Sequence, residues 1–258
     1  MVRPAMLGLA ALAFLVRAAY AGDFSLALDY DVRWGPFRIL SMELTSEVAG
    51  DRYQATSVLE TRGTIGLLFP WRSRAESSGR RDGPALRPER HRADGTYRSE
   101  RRTVDIEYRR DGAVSASITP PPEEDVRVPD ELQRETVDPL TAGMLAVEDG
   151  CRGRVPVFDG RRRYDLRLEE LAPGTVPESK GALYAGSARR CRAVVEARAG
   201  FWRFDPRDDS EPTILDFWIA SPRGGMPPVP VYLELTGARG TLAIVLTKAD
   251  EAAANPVS

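Results

Sequence analysis

The chain has 258 residues, with 36 basic and 38 acidic side chains and a formal charge of −2 at neutral pH. A near-balanced charge excludes a domain held to nucleic acid by net positive potential. One histidine and two cysteines far apart in sequence are poor material for a zinc centre or a Cys-x-x-Cys redox pair, so no metal and no cofactor is expected.

The N-terminus carries Arg3, an apolar run from Met6 to Val16, and Ala19-Tyr20-Ala21 before Gly22. A basic start, a short apolar stretch and a small-x-small site predict a secretory signal peptide over 1–21, cleaved after Ala21. The run is too short for the roughly 20 residues of a membrane span, and Arg17 ends it, so the mature chain is expected to lack a transmembrane segment. Export to the periplasm follows as the expected location, and there a disulfide persists. The two cysteines, Cys151 and Cys191, are accordingly expected to pair.

From Phe24 the pattern is strictly alternating: Phe24, Leu26, Leu28, Tyr30, Val32 and Trp34 on one face, Ser25, Ala27, Asp29, Asp31 and Arg33 on the other. Gly35-Pro36 breaks it, a second strand carries Leu40, Met42 and Leu44, and a third runs from Arg52 to about Thr61, which together predict a meander. Gly63 to Trp71 is continuously apolar and predicts a short helix or irregular plug over one end of the sheet. Its functional alternative is a lid over a ligand cavity bounded by Trp34, Phe37, Leu67, Leu68, Phe69 and Trp71. Polar strands follow over 73–80, 86–93, 96–109 and 113–119, the last two joined by Arg110-Asp111-Gly112.

The stretch Pro120 to Asp125 reads as a linker or an edge, since proline cannot donate to a ladder. Asp138-Pro139 then opens a helix over 138–147, with aspartate at the N-cap and proline in the first helical position. Leu140, Met144 and Val147 fall on its apolar face. Val155 to Phe158 and Arg161 to Leu168 flank Asp159-Gly160, a two-residue hairpin signal, with Cys151 at the entrance. Later strands surround Cys191 and cover 214–220, 229–235 and 241–247, with Phe217 and Trp218 facing opposite ways. Residues 249–258 read as a frayed tail. The prediction is one mainly antiparallel β domain over 22–248, its two meander halves, about 23–119 and 151–247, joined by the linker and the short helix.

Several stretches taken together, Tyr30 to Phe37, Gly66 to Ser73, Leu86 to Arg90, Val137 to Thr141 and above all Val155 to Leu166 (Val-Pro-Val-Phe-Asp-Gly-Arg-Arg-Arg-Tyr-Asp-Leu), resemble the bacterial domain of unknown function family 3108. The resemblance implies exported cell-envelope proteins and a curled or spiral antiparallel sheet, a half-barrel-like meander similar to the lipoprotein carriers of the Lol system. It brings no catalytic motif.

A Ser-His-Asp arrangement would have to use His91, which sits in the charged stretch Pro-Glu-Arg-His-Arg and reads as a solvated side chain. Lysine occurs only twice, so the basic residues are almost all arginine, and Arg161, Arg162 and Arg163 are candidates for a stripe that meets an anionic partner. The bland alternative is a cross-strand lattice with the acids. The expected function is a non-enzymatic periplasmic envelope protein that binds a lipid, acyl chain or lipoprotein in the concave face of its sheet. The alternatives are an assembly scaffold that holds an envelope protein or glycan through a sheet edge or the arginine stripe, and an envelope hydrolase.

Overall fold

The computed structural model describes residues 23–97, 100–148, 150–201, 213–237 and 240–252. The expected signal peptide and the last six residues of the expected tail lie outside them. The first half is a run of hairpins: β1 (Phe24–Trp34), β2 (Phe37–Ala49), β3 (Arg52–Thr61), α1 (Gly63–Leu68), β4 (Arg72–Asp82), β5 (Ala85–Tyr97), β6 (Glu100–Tyr108) and β7 (Val114–Thr119). A connector with the short helix α2 (Asp130–Gln133) leads into α3 (Pro139–Glu148). The second half comprises β8 (Gly153–Phe158), β9 (Arg163–Glu170), β10 (Gly174–Val176), β11 (Gly186–Ala199), β12 (Thr213–Ala220), β13 (Val229–Gly237) and β14 (Gly240–Ala252).

All pairings between these strands are antiparallel, and the sheet order is β7-β6-β5-β4-β3-β2-β1-β14-β13-β12-β11-β9-β8, with β10 added on β11. The first and last strands of the chain therefore meet in the middle, and β7 and β8 are the two edges. Strand β14 runs to Ala252, opposite Ser25, so the first four residues of the expected tail belong to the sheet. The sheet is open but curled: a Cβ at Gly160, in the β8–β9 turn, would stand 2.5 Å from Val104 of β6, although β6 and the β8–β9 pair lie near opposite ends of the order above.

Helix α3 lies inside the curl, touching β3, β4, β5 and β8. The expected face of Leu140, Met144 and Val147 is only half-buried; the helix buries Thr141, Ala142 and Ala146 instead. Close approach to a sheet floor selects those small side chains. Ala142 and Ala146 pack with Val155, Val157, Leu168, Phe217 and the Cys151–Cys191 disulfide, whose Cα atoms are 5.8 Å apart. The staple ties the chain leaving α3 to the inner face of β11. On the opposite face Trp218 packs against Tyr232 with ring centroids 5.2 Å apart and planes tilted by 60°, and is covered by the segment around β10, with Arg190 at 5.0 Å over its ring. Phe217 and Trp218 do face opposite ways.

The connector covers the β8 edge, which would otherwise expose unpaired backbone groups. Val137 forms a parallel bridge with Val157, donating to Pro156 O at 2.9 Å and accepting from Phe158 N at 3.0 Å. The β8–β9 turn is longer than expected, four residues rather than two, since Phe158 pairs with Arg163. Asp159 explains this: its Oδ1 accepts from the amides of Arg161 and Arg162 at 2.8 and 2.6 Å, closing an Asx turn with Gly160 at φ +93°.

Candidate functional site

Strand register defines what lines the interior. Ala55, Ser77, His91 and Ile106 stand side by side across β3 to β6, and Ser57, Ala75, Ala93 and Val104 form the next row. The floor beneath the start of α3 is thus built of alanine and serine. His91 is in phase with Ala93 and Gly95, and out of phase with exposed Arg92 and Asp94. It is buried, against the expectation of a solvated histidine. The period-two phase of the neighbouring small residues was the signal that could have placed it.

Around His91 lies a polar network missed in the sequence. Ser77 Oγ donates to Asp138 Oδ1 at 2.5 Å and stands 2.8 Å from His91 Nδ1, which is 3.4 Å from the same carboxylate oxygen. Asp138 is fully buried; it accepts from the amides of Leu140 and Thr141, each at 3.0 Å, and from Thr141 Oγ1 at 2.6 Å. Tyr53 Oη pairs with Thr141 Oγ1 at 2.7 Å. Burial pushes the Asp138 carboxyl up, but the hydrogen bonds and the positive potential from His91, with Ser77 and Thr141, outweigh it and hold the group below its ordinary range. Burial, aided by the Asp138 charge, drives the Tyr53 phenol far above its usual value.

The residue types match a Ser-His-Asp triad; the wiring does not. A nucleophilic serine gives its proton to an imidazole that is oriented by the carboxylate. Here Ser77 spends its single proton on Asp138, so His91 Nδ1–H donates to Ser77, and the serine is buried. This is an N-cap fixed to a sheet.

Beside the network, a cavity of about 280 Å³ is lined by Ser57, Ala75, His91, Ala93, Pro139, Leu140, Asp159, Arg161 and Arg162. A second, of about 400 Å³, lies between β7 and the connector, lined by Val114, Ala116, Ile118, Val128, Gln133 and Phe158 among others. Among the described residues no group of three or more His, Cys, Asp and Glu side chains could hold a metal ion.

Two of the expected sites are differently placed. None of Trp34, Phe37, Leu67, Leu68, Phe69 and Trp71 lines either cavity. Five of them form an exposed apolar rim at one end of the sheet: Trp34 is 56% exposed, Phe37 68%, Leu67 84%, Leu68 68% and Phe69 71%, with Trp71 partly buried. Helix α1 leaves these side chains exposed instead of plugging the sheet end: the segment is tied at its base, by Arg62 N to Ile39 O at 3.0 Å, Thr61 Oγ1 to Phe69 O at 3.0 Å and Trp71 N to Thr61 Oγ1 at 2.9 Å. Inward from this rim the register sets Trp34 beside Leu242, Leu235 and Leu215, and Met42 beside Leu59, all of the latter partly buried.

A family model described as "Protein of unknown function (DUF3108)" matches residues 29–247. The chain belongs to this family. The solved structure of a beta-barrel-like protein of domain of unknown function DUF1849 from Brucella abortus is similar to it, with a TM-score of 0.55 at 13% identity, over 90% of this chain and 98% of that one. At that identity the likeness is one of fold alone. No curated protein matches the chain.

The arginine stripe is likewise divided in this DUF3108 chain. Arg163 is committed to Asp165 at 2.6 Å and to the carbonyls of Leu132 and Tyr164, whereas Arg161 and Arg162 turn to the interior cavity. Elsewhere arginines form the cross-strand lattice. Arg154, Arg163 and Arg198 surround Asp165, Arg190 and Arg192 hold Asp216, and Arg90 and Arg92 hold Asp105. Burial raises the Asp165 carboxyl, but its arginines hold it below the ordinary carboxylate range; for Asp216 the Arg192 hydrogen bond is the leading cause of the same shift.

Proposed function

We propose that this protein is a non-enzymatic binding protein of the cell envelope that takes an acyl chain, free or as part of a lipid or lipoprotein, onto the inner face of its curled sheet. One observation carries the reading: the partly buried inner row Leu215, Leu235 and Leu242 ends at exposed Trp34, at the rim of exposed aromatic and leucine side chains. Contiguous exposed apolar surface of this kind marks an interaction site, and here it is continuous with a partly buried interior. The N-terminal leader pattern and a disulfide suited to an oxidising compartment support export to the periplasm. The wiring of Ser77, His91 and Asp138 argues against the hydrolase alternative.

The test is native mass spectrometry of the mature chain purified from the periplasm without detergent, followed by lipid extraction. A stoichiometric acyl-containing adduct is expected. A clean apo mass, together with no uptake of the neutral apolar probe N-phenylnaphthylamine, refutes the reading. The scaffold alternative draws on a separate feature, the outer edge of β7. No described strand pairs with that edge, and it lines the 400 Å³ cavity. An extended peptide could add there by β-augmentation. Crosslinking in cells from a photoreactive residue at Ser115 tests it, and absence of any protein adduct removes it.

A further inference from the structure

The geometry points to a head-group site: we infer that the cavity bounded by His91, Arg161 and Arg162 receives the carboxylate or phosphate end of a single-chain anionic amphiphile whose tail runs along β2 and β3 to the apolar rim. The inference rests on the acyl-binding reading and narrows its ligand class.

Charge is the first observation. In a chain whose arginines are laced to acids across strands, Arg161 and Arg162 line an interior cavity with no carboxylate in ion-pair range among the described residues. Arg161 Nη2 donates to Pro120 O at 2.7 Å, which leaves other donors of its guanidinium fork, and Arg162 lies 5.7 Å over the Phe201 ring. The one acid in the lining, Asp159, uses Oδ1 on the amides of Arg161 and Arg162. Desolvation and the neighbouring Arg102 charge lower the Arg161 pKa and outweigh the opposing charges of Asp159 and Glu100. A guanidinium pair in a partly desolvated pocket is suited to bidentate capture of carboxylate or phosphate.

Shape and continuity are the second. The cavity floor, Ser57, Ala75 and Ala93, is small enough to leave about 280 Å³, room for a head group and the first carbons of a chain. From Ser57 the same face continues through its neighbour Leu44, then Leu59 and Met42, then Leu40, and reaches the Trp34–Phe37 pair at the rim. Register thus sets a row of partly buried apolar side chains between the polar cavity and the rim.

The experiment is competition for bound N-phenylnaphthylamine by ligands of equal chain length: hexadecanoic acid, hexadecyl phosphate and hexadecanol, with inorganic phosphate as the head alone. The acid and the alkyl phosphate are expected to compete about tenfold better than the alcohol, the size of one charge-assisted contact. Inorganic phosphate is expected not to compete. In Arg161→Gln/Arg162→Gln the gap is expected to close while probe binding persists; Arg101→Gln, on an exposed pair, is expected to keep it. Equal competition by acid and alcohol on the unmutated protein overturns the head-group site and leaves the acyl reading standing. Inorganic phosphate competing as well as hexadecyl phosphate overturns it in favour of a free-anion site. Failure of the probe and of every chain to bind overturns both.

Discussion

Helix α3 is docked on two surfaces that use different physics. Toward β8, β9 and β12 it meets large apolar side chains, Val157, Leu168 and Phe217, and a covalent staple to β11. Toward β3, β4 and β5 it meets alanines and serines and is held by one buried carboxylate shared among Ser77, His91 and Thr141. The first surface is filled. The second leaves a cavity, because directional hydrogen bonds hold the helix end in place without needing side-chain volume beneath it. Space for a ligand lies where attachment is polar and the floor is small.

The largest break in this comparison is expected from the stapled side. Opening a 40-residue loop by reduction removes about 4 kcal/mol in the chain-entropy model, read as a drop in guanidinium unfolding free energy with and without dithiothreitol. No change on reduction would show that apolar packing alone holds that side.

On the polar side, Asp138→Ala strips the N-cap and leaves three buried partners without an acceptor, an expected loss of about 3 kcal/mol. Asp138→Asn separates charge from shape. The folded carboxyl titrates below its unfolded value, so its contribution is present above about pH 4 and is lost as the pH falls further, through the folded pKa. Acid unfolding of the asparagine variant should therefore be shallower than that of the parent. Its remaining slope should report Asp165 and Asp216, the arginine-bound carboxylates of the second half. Identical acid profiles would remove Asp138 as a source of acid lability.

Gly160 joins the two regions. Alanine there meets both a φ of +93° and Val104 at 2.5 Å, an expected cost of about 2 kcal/mol. Adding Val104→Ala should recover part of it if the contact is the cause, whereas strict additivity would leave backbone strain as the whole effect. The smallest effect is expected on the outer lattice: Arg101→Ala breaks an exposed pair with Asp94 and should change stability by less than about 0.5 kcal/mol.

Much of the architecture was legible in the chain because strands have a two-residue period and turns have their own chemistry. The alternation of Phe24 to Trp34, the N-cap at Asp138-Pro139 and the pairing of the only two cysteines are local or near-local signals, and each appears in the structure. The family resemblance supplied the curl. Less legible were the features that depend on which strand faces which. His91 reads as solvated beside Arg90 and Arg92 until β4 and α3 are brought over it. Leu67 to Phe69 read as a plug, yet no described element covers them. Arg161 to Arg163 read as one stripe, but the Asx turn at Asp159 aims two of them into the interior and strand register delivers the third to Asp165. The sequence by itself determined the strands, the capped helix and the staple, since these follow from side-chain periodicity and backbone preference over a few residues. Only the tertiary structure decided the cavity, the rim and the buried carboxylate, because burial and charge pairing are properties of neighbours that the curl of a 14-stranded sheet brings together from distant parts of the chain.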